Sequence, residues 1–493
     1  MTQNDALQSP SENASEHNFR RELGVVSSTL IVVGSMVGSG IFIVSADIAR
    51  TVGSPVMLMA VWLATGLLTL IAALSYGELA GMMPEAGGQY VYLREAYSPL
   101  MGFLYGWTLF LVIQTGMIAA VAVAFAKFTA VLLPWLGTDN ILLSVGNFKI
   151  SAAQIFAIGS IVVLTYLNSR GVKGGKIVQD VFTVAKILGI AGLIFAGLTL
   201  GVNDEALVSN LSNLWKHSWT HLENGSVGVQ PLSGTWLLAA FGVAMVGSIF
   251  SSDAWNSITF AAGEVVNPKR TIPLSLFLGT CLVTVIYLLS NLAYLVTLPL
   301  VGDPNGQTVI QRGIQFATED RVGTAVASVV WGSGAATVMA ILIMISTFGC
   351  NNGLILSGAR VFYAMSKDGL FFKRAGALNR NDVPGYALII QALWASLLCL
   401  SGSYGDLLDY VVFAILIFYV LTIGGIFILR MKRPHVERPY KAFGYPVLPA
   451  LYILAALAIC VNLLIFKPKF TYPGLFIVLS GIPVFYFWKR RAQ

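Results

Sequence analysis

Twelve apolar runs, each long enough to cross about 30 Å of hydrocarbon as a helix, follow one another along this 493-residue chain. They fall near 25–50, 55–76, 100–133, 151–168, 177–201, 235–262, 273–298, 324–365, 385–402, 406–430, 446–466 and 471–488. Charged residues make up 11% of the chain, against roughly 25% in soluble proteins. Inside a bilayer each backbone N–H and C=O must find its partner within the protein, and runs of this length point to helices. The expected fold is an all-α polytopic membrane protein with 12 transmembrane helices.

Orientation follows from where lysine and arginine fall. With the N-terminus inside, 21 of the 30 lie in cytoplasmic segments and 7 in outer ones, while Lys127 and Lys186 sit within spans. Both termini are therefore expected in the cytoplasm, in a cell (plasma) membrane. The net charge of +7 then reads as topology, and no nucleic-acid surface is expected. The four cysteines (Cys281, Cys350, Cys399, Cys460) fall inside spans with no disulfide or metal spacing. The four histidines lie outside the spans, which argues against a histidine relay through the membrane. No cofactor or metal is expected.

Two apolar runs are interrupted. Residues 34–40 of the first carry three glycines and two serines, within the stretch Gly34-Ser35-Met36-Val37-Gly38-Ser39-Gly40-Ile41-Phe42. A lipid-facing helix has no use for them, because glycine weakens helices and hydrocarbon cannot satisfy freed backbone groups. The sixth run is interrupted over 247–256, through Phe250-Ser251-Ser252-Asp253-Ala254-Trp255-Asn256. Paired interruptions in corresponding positions of two halves point to a transporter's central site. Segments 1–5 and 6–10 fit as inverted halves, with 11 and 12 added. The competing reading of segment 1 is small-residue helix packing, since Gly34 and Gly38 form a GxxxG pair.

Domain organisation follows: a disordered cytoplasmic tail over 1–23, a transporter core over 24–430, and two further helices with the C-terminus over 431–493. Residues 203–233 form the longest outer loop. Pro268 and Pro273 mark the turn into segment 7.

Four stretches in order carry a family resemblance: Gly34 to Phe42, Gln179 to Lys186, Phe250 to Asn256, and Glu264 to Pro273. Together they resemble the amino acid–polyamine–organocation superfamily, and within it the L-type amino acid transporters, over about residues 20–430. The resemblance implies a LeuT-like five-plus-five inverted repeat with broken helices 1 and 6 and alternating access. It also implies that Ser39 and Gly40, with Ile41 in the same half-helix start, bind a substrate carboxylate. The carbonyls of Met36, Phe250 and Asp253 would receive its amine, and Phe250 would close over it as an aromatic gate. Trp255 and Asn256 continue the motif. Without the resemblance, Phe250 reads as an ordinary core residue.

A free amino acid is a zwitterion, and two helix breaks offer opposite ends to it. A half-helix N-terminus presents N–H groups and positive potential; a C-terminus presents carbonyls and negative potential. Lys186 lies deep in segment 5, where it either snorkels to the inner end or has a functional role. The resemblance implies that it stands in for a sodium ion and ties segment 1 to segment 5. Asp253 either pairs with a substrate ammonium or guanidinium, or caps the second half-helix. Gln114, Thr115, Asn351 and Asn352 are candidate pocket residues.

The expected function is sodium-independent secondary transport of L-amino acids, neutral ones first, by exchange or proton-linked uptake. The alternative within the class is a cationic amino acid or polyamine antiporter, and outside it an amino acid sensor without transport. An enzyme is not expected. Animal relatives join a partner through a cysteine between segments 3 and 4; residues 137–150 contain none, so no disulfide-linked heavy chain is expected.

Overall fold

The computed structural model describes residues 19–145, 148–223, 226–401 and 404–492. Of the expected tail, residues 1–18 lie outside the described residues. The first span is a bent pair, α1 (Val25–Met36) and α2 (Gly40–Val52), whose axes differ by 44°. Next come α3 (Pro55–Met82) and the short α4 (Gln89–Ala96). A 34-residue span follows, in which α5 (Pro99–Thr108) and α6 (Gln114–Leu132) are joined by a π-helical turn at Leu109–Ile113. Then α7 (Ala152–Ser169), α8 (Val172–Thr199) and the short α9 (Asp204–Ser212) lead to α10 (Gly234–Ser251).

Beyond a second break lies one turn, α11 (Ser257–Phe260), and then α12 (Pro268–Thr297) and another single turn, α13 (Val309–Arg312). The chain closes with α14 (Val322–Trp331), α15 (Ala335–Lys367), α16 (Gly385–Ser401), α17 (Tyr404–Lys432), α18 (Val447–Phe466) and α19 (Pro468–Ala492). Two antiparallel hairpins occupy connecting loops: β1 (Ile141–Val145) with β2 (Phe148–Ser151), and β3 (Ser218–Glu223) with β4 (Ser226–Pro231). Neither was expected from the sequence.

Helix starts are written locally. Ser54 accepts a hydrogen bond from the Met57 amide ahead of Pro55, and Ser98 does the same for Met101 ahead of Pro99. Ser151 and Gln154 form a capping box. These pairings satisfy amides that a helix leaves open at its first turn. Pro268 opens α12, whereas Pro273 lies inside that helix.

Among the described residues, ten helical spans are long and apolar enough to cross a membrane, or eleven when the bent pair counts as one. The expected twelve are not reached on that criterion. α16, at 17 residues, falls short of the ~20 that a perpendicular span needs.

The two broken segments sit together in the bundle. α1 packs on α8, α12 and α15, while α2 packs on α10 and α14. Residues 19–23 are held rather than loose: the Glu22 and Leu23 amides both donate to the Glu264 carbonyl, and Arg20 pairs with Asp382 at 2.6 Å.

Candidate functional site

The breaks are narrower than the sequence pattern suggests. In the first segment only residues 37–39 leave the helix; in the sixth, 252–256 do. The outlying glycines serve packing. A Cβ on Gly34 would lie 2.0 Å from Gln179 Nε2, and one on Gly247 would lie 2.5 Å from Val44 Cγ1. The packing reading of Gly34 is therefore correct for that residue, beside a real break three residues on. In the second break Ala254 takes a left-handed conformation (φ 63°), a costly one for a residue with a Cβ.

A helix that stops leaves carbonyls without partners. Here side chains from three helices supply donors to all five carbonyls from Gly34 to Gly38. Lys186 Nζ, on α8, lies 2.9 Å from the Gly34 oxygen, 2.7 Å from that of Val37 and 2.8 Å from that of Ser346. Ser346 Oγ, on α15, lies 3.1 and 3.0 Å from the Val37 and Gly38 carbonyls. Cys350 Sγ lies 3.0 Å from the Ser35 oxygen. Tyr287 of α12 places its hydroxyl between the two breaks, 3.2 Å from the Met36 carbonyl and 2.9 Å from that of Ser251. Lys186 is fully buried and points into the break, which removes the snorkelling alternative.

Opposite helix ends meet at this point. α2 begins at Gly40 with Ser39 in the N-cap position, and α10 ends at Ser251. The positive end of one helix thus faces the negative end of the other. Their approach is tight enough to require glycine: a Cβ on Gly40 would lie 2.1 Å from Ser251 Oγ.

Three small cavities meet on Asp253. The first, about 30 Å³, is bounded by Met36, Gly38, Ser39, Gly40, Phe250 and Asp253, with Met117 and Cys350 among its other walls. The second, about 20 Å³, lies toward Trp255, Tyr419 and Tyr452. The third, about 10 Å³, lies toward Gln114, Asn256 and Tyr105. Each holds on the order of one or two waters. Phe250 is half-buried on the wall of the first cavity.

Most candidate residues fall on these walls; besides Lys186, four do not. Ile41 is buried, and its carbonyl accepts from Tyr294 at 3.3 Å. The Thr115 hydroxyl donates to the Phe110 carbonyl in its own helix, across the π-helical turn. Asn352 joins three helices, bonding Asn168, the Gly175 carbonyl and Gln179. Asn351 is buried and lines none of the three cavities. The capping alternative for Asp253 does not hold: the N-cap of α11 is Asn256, and Asp253 Oδ1 instead accepts from Tyr419 at 2.5 Å. Tyr419, Tyr287 and Ser346 were not anticipated. The only local signal was a tyrosine or serine inside an apolar run.

Similarity to known proteins settles the family. The profile described as amino acid permease matches residues 23–487. The chain belongs to the amino acid permease family. It is 28% identical over 473 residues to the b(0,+)-type amino acid transporter 1 of Mus musculus, covering 95% of this chain and 88% of that protein. It is 27% identical over 486 residues to the Large neutral amino acids transporter small subunit 2 of Homo sapiens, covering 96% and 82%. With the Serine/threonine exchanger SteT of Bacillus subtilis (strain 168) it shares 27% identity over 479 residues, covering 97% and 98%.

The permease is tied together at both ends of the bundle. Where the N-terminal segment lies, Arg360 and Glu264 form an ion pair (Nε–Oε1 2.8 Å) with both side chains buried. Glu78 accepts from Arg430 at 2.9 and 2.7 Å and from the Ala442 amide at 2.7 Å. At the far end of α2, Arg50 grips Asp320 through two bonds, of 2.6 and 3.1 Å, and donates to the Gln315 carbonyl at 2.7 Å.

Proposed function

We propose that this chain is a sodium-independent exchanger of free L-amino acids, working by alternating access in a five-plus-five inverted repeat. The observation that carries the reading is the meeting of the α2 N-terminus and the α10 C-terminus at Gly40 and Ser251. A carboxylate is favoured at the first and an ammonium at the second, so the pair matches the head group that all amino acids share. Ser39 and Gly40 would take the carboxylate. The Met36 carbonyl, which keeps a second lone pair beside its Tyr287 bond, would join the Phe250 and Asp253 carbonyls in taking the amine. Phe250 would close over the substrate.

Lys186 supports sodium independence. An ammonium holding two carbonyls at the break and one of α15 places a fixed positive charge where a metal ion would otherwise have to sit. The three cavities are each too small for an amino acid, so substrate enters by opening of the bundle. The lysine and arginine distribution supports both termini in the cytoplasm, with the chain in the plasma membrane. The chain would act without a disulfide-linked partner.

Neutral amino acids are the first reading, because the cavity walls are largely apolar. A second reading, cationic substrates, is favoured by the buried carboxyl of Asp253, and one relative is named a b(0,+)-type transporter. Counterflow in proteoliposomes tests both. Radiolabelled alanine should accumulate only when amino acid is loaded inside, equally with and without sodium. Competition by alanine, leucine and arginine then sorts the substrate class; uptake without internal amino acid would overturn exchange.

A further inference from the structure

Asp253 is only 5% exposed, lies at membrane depth in the second break, and has no cation beside it among the described residues. The titratable groups around it are Tyr105, Tyr419 and Tyr452, Cys350 on the wall of the first cavity, and Tyr76, whose ring centroid lies 5.8 Å from that of Tyr419. No lysine, arginine or histidine lines any of the three cavities. The buried lysine of the site, Lys186, is committed to three carbonyls and lines none of them. A carboxylate charge in such a place is costly unless it is cancelled, and ionisable groups kept at this depth usually belong to a transport pathway.

Two things can cancel it: a proton, or a positive charge brought by the substrate. Tyr419 tolerates both. Its hydroxyl donates to Oδ1 at 2.5 Å, and a carboxyl protonated on Oδ2 still accepts on Oδ1. Tyr419 therefore holds the carboxyl in place in either state without itself supplying charge.

We propose that Asp253 is a proton-binding site of the transport cycle, positioned by Tyr419. It carries a proton while a neutral amino acid occupies the site and releases it when the bound side chain is a cation. The proton leaves to water on the side from which the cationic substrate enters, and returns from water when a neutral substrate replaces it. The O–H bond of the carboxyl breaks as its charge pairs with the incoming ammonium or guanidinium, so the site keeps one net charge throughout. Alanine and arginine would thus be carried by one pocket. This rests on the reading that the two breaks bind amino acids.

The test is exchange in proteoliposomes with a pH indicator trapped inside. Exchange of external arginine for internal alanine should carry about one proton outward per alanine, leaving no membrane potential; alanine-for-alanine exchange should move none. In Asp253→Asn the alanine exchange that remains should lose its pH dependence, and arginine affinity should fall about tenfold or more. Tyr419→Phe should shift the pH midpoint of alanine exchange, which a purely structural role would not do. Should Asp253→Asn fail to fold, Asp253→Glu must shift the same midpoint. Arginine refused by the wild type, arginine–alanine exchange that builds a potential without proton movement, or unchanged pH profiles in the variants would each overturn the proposal. A wild-type protein that moves no amino acid at all would instead refute the transport reading beneath it.

Discussion

Gly40 and Ser251 touch where the two broken helices meet: a Cβ on Gly40 would lie 2.1 Å from the Ser251 hydroxyl and 3.3 Å from its Cα. Ser251 Cβ, at 2.8 Å, matters most, because the hydroxyl can rotate away and Cβ cannot. Gly40→Ala should therefore push the break in α1–α2 away from α10. We expect loss of transport with a fall of about 1–3 kcal/mol in stability. Ser251→Gly in the same chain should restore part of both, measured by counterflow and by melting in detergent. No rescue would mean that the contact does not set the spacing.

Lys186 Nζ serves three carbonyls from two segments. Lys186→Ala should abolish transport while leaving the protein folded and monodisperse. The Gly34 carbonyl loses its side-chain donor while Val37 keeps that of Ser346; a buried acceptor left short of a donor costs roughly 1–3 kcal/mol before water re-enters, so the melting temperature should also drop. Uptake at the wild-type rate would refute the assigned role.

Glu264 and Arg360 pair with both side chains out of solvent. Removing either charge alone should cost about 3–5 kcal/mol, whereas removing both with apolar residues of similar size should cost much less. A double-mutant cycle by thermal melting reads the difference. Additive losses would show that the two act independently.

Arg50 and Asp320 form a more exposed pair, 14% and 41% accessible. Asp320→Asn should cost no more than about 1 kcal/mol, and that cost should fade in 1 M salt, where the screening length is about 3 Å. Arg50→Ala should cost more and be less sensitive to salt, because Arg50 also donates to the Gln315 carbonyl. Equal effects would contradict the geometry.

Much of this arrangement was legible in the residues. Apolar runs gave the helices, and clustered glycine and serine marked both breaks. Their extent was overestimated because glycine serves two purposes that sequence cannot separate. Gly34 and Gly247 make room for Gln179 and Val44 in intact helices, whereas Gly40 lies at the break itself. Tyr419 could not be found this way, since its partner is 166 residues distant and its neighbours in the run are apolar. The same holds for Tyr287, which reaches back 251 residues to Met36. Asp253 was misjudged as a candidate cap because α11 starts only at Ser257, with Asn256 rather than Asp253 in the N-cap position.

The carbonyls freed at residues 34–38 are met by side chains borrowed from α8, α12 and α15. Together with the first segment, those three helices therefore form a unit of inheritance as well as of structure. A hybrid that took its first segment from a distant relative, and the other three from this protein, would present donors and acceptors that no longer match. Recombination within such permeases should succeed only where the crossover carries the whole set.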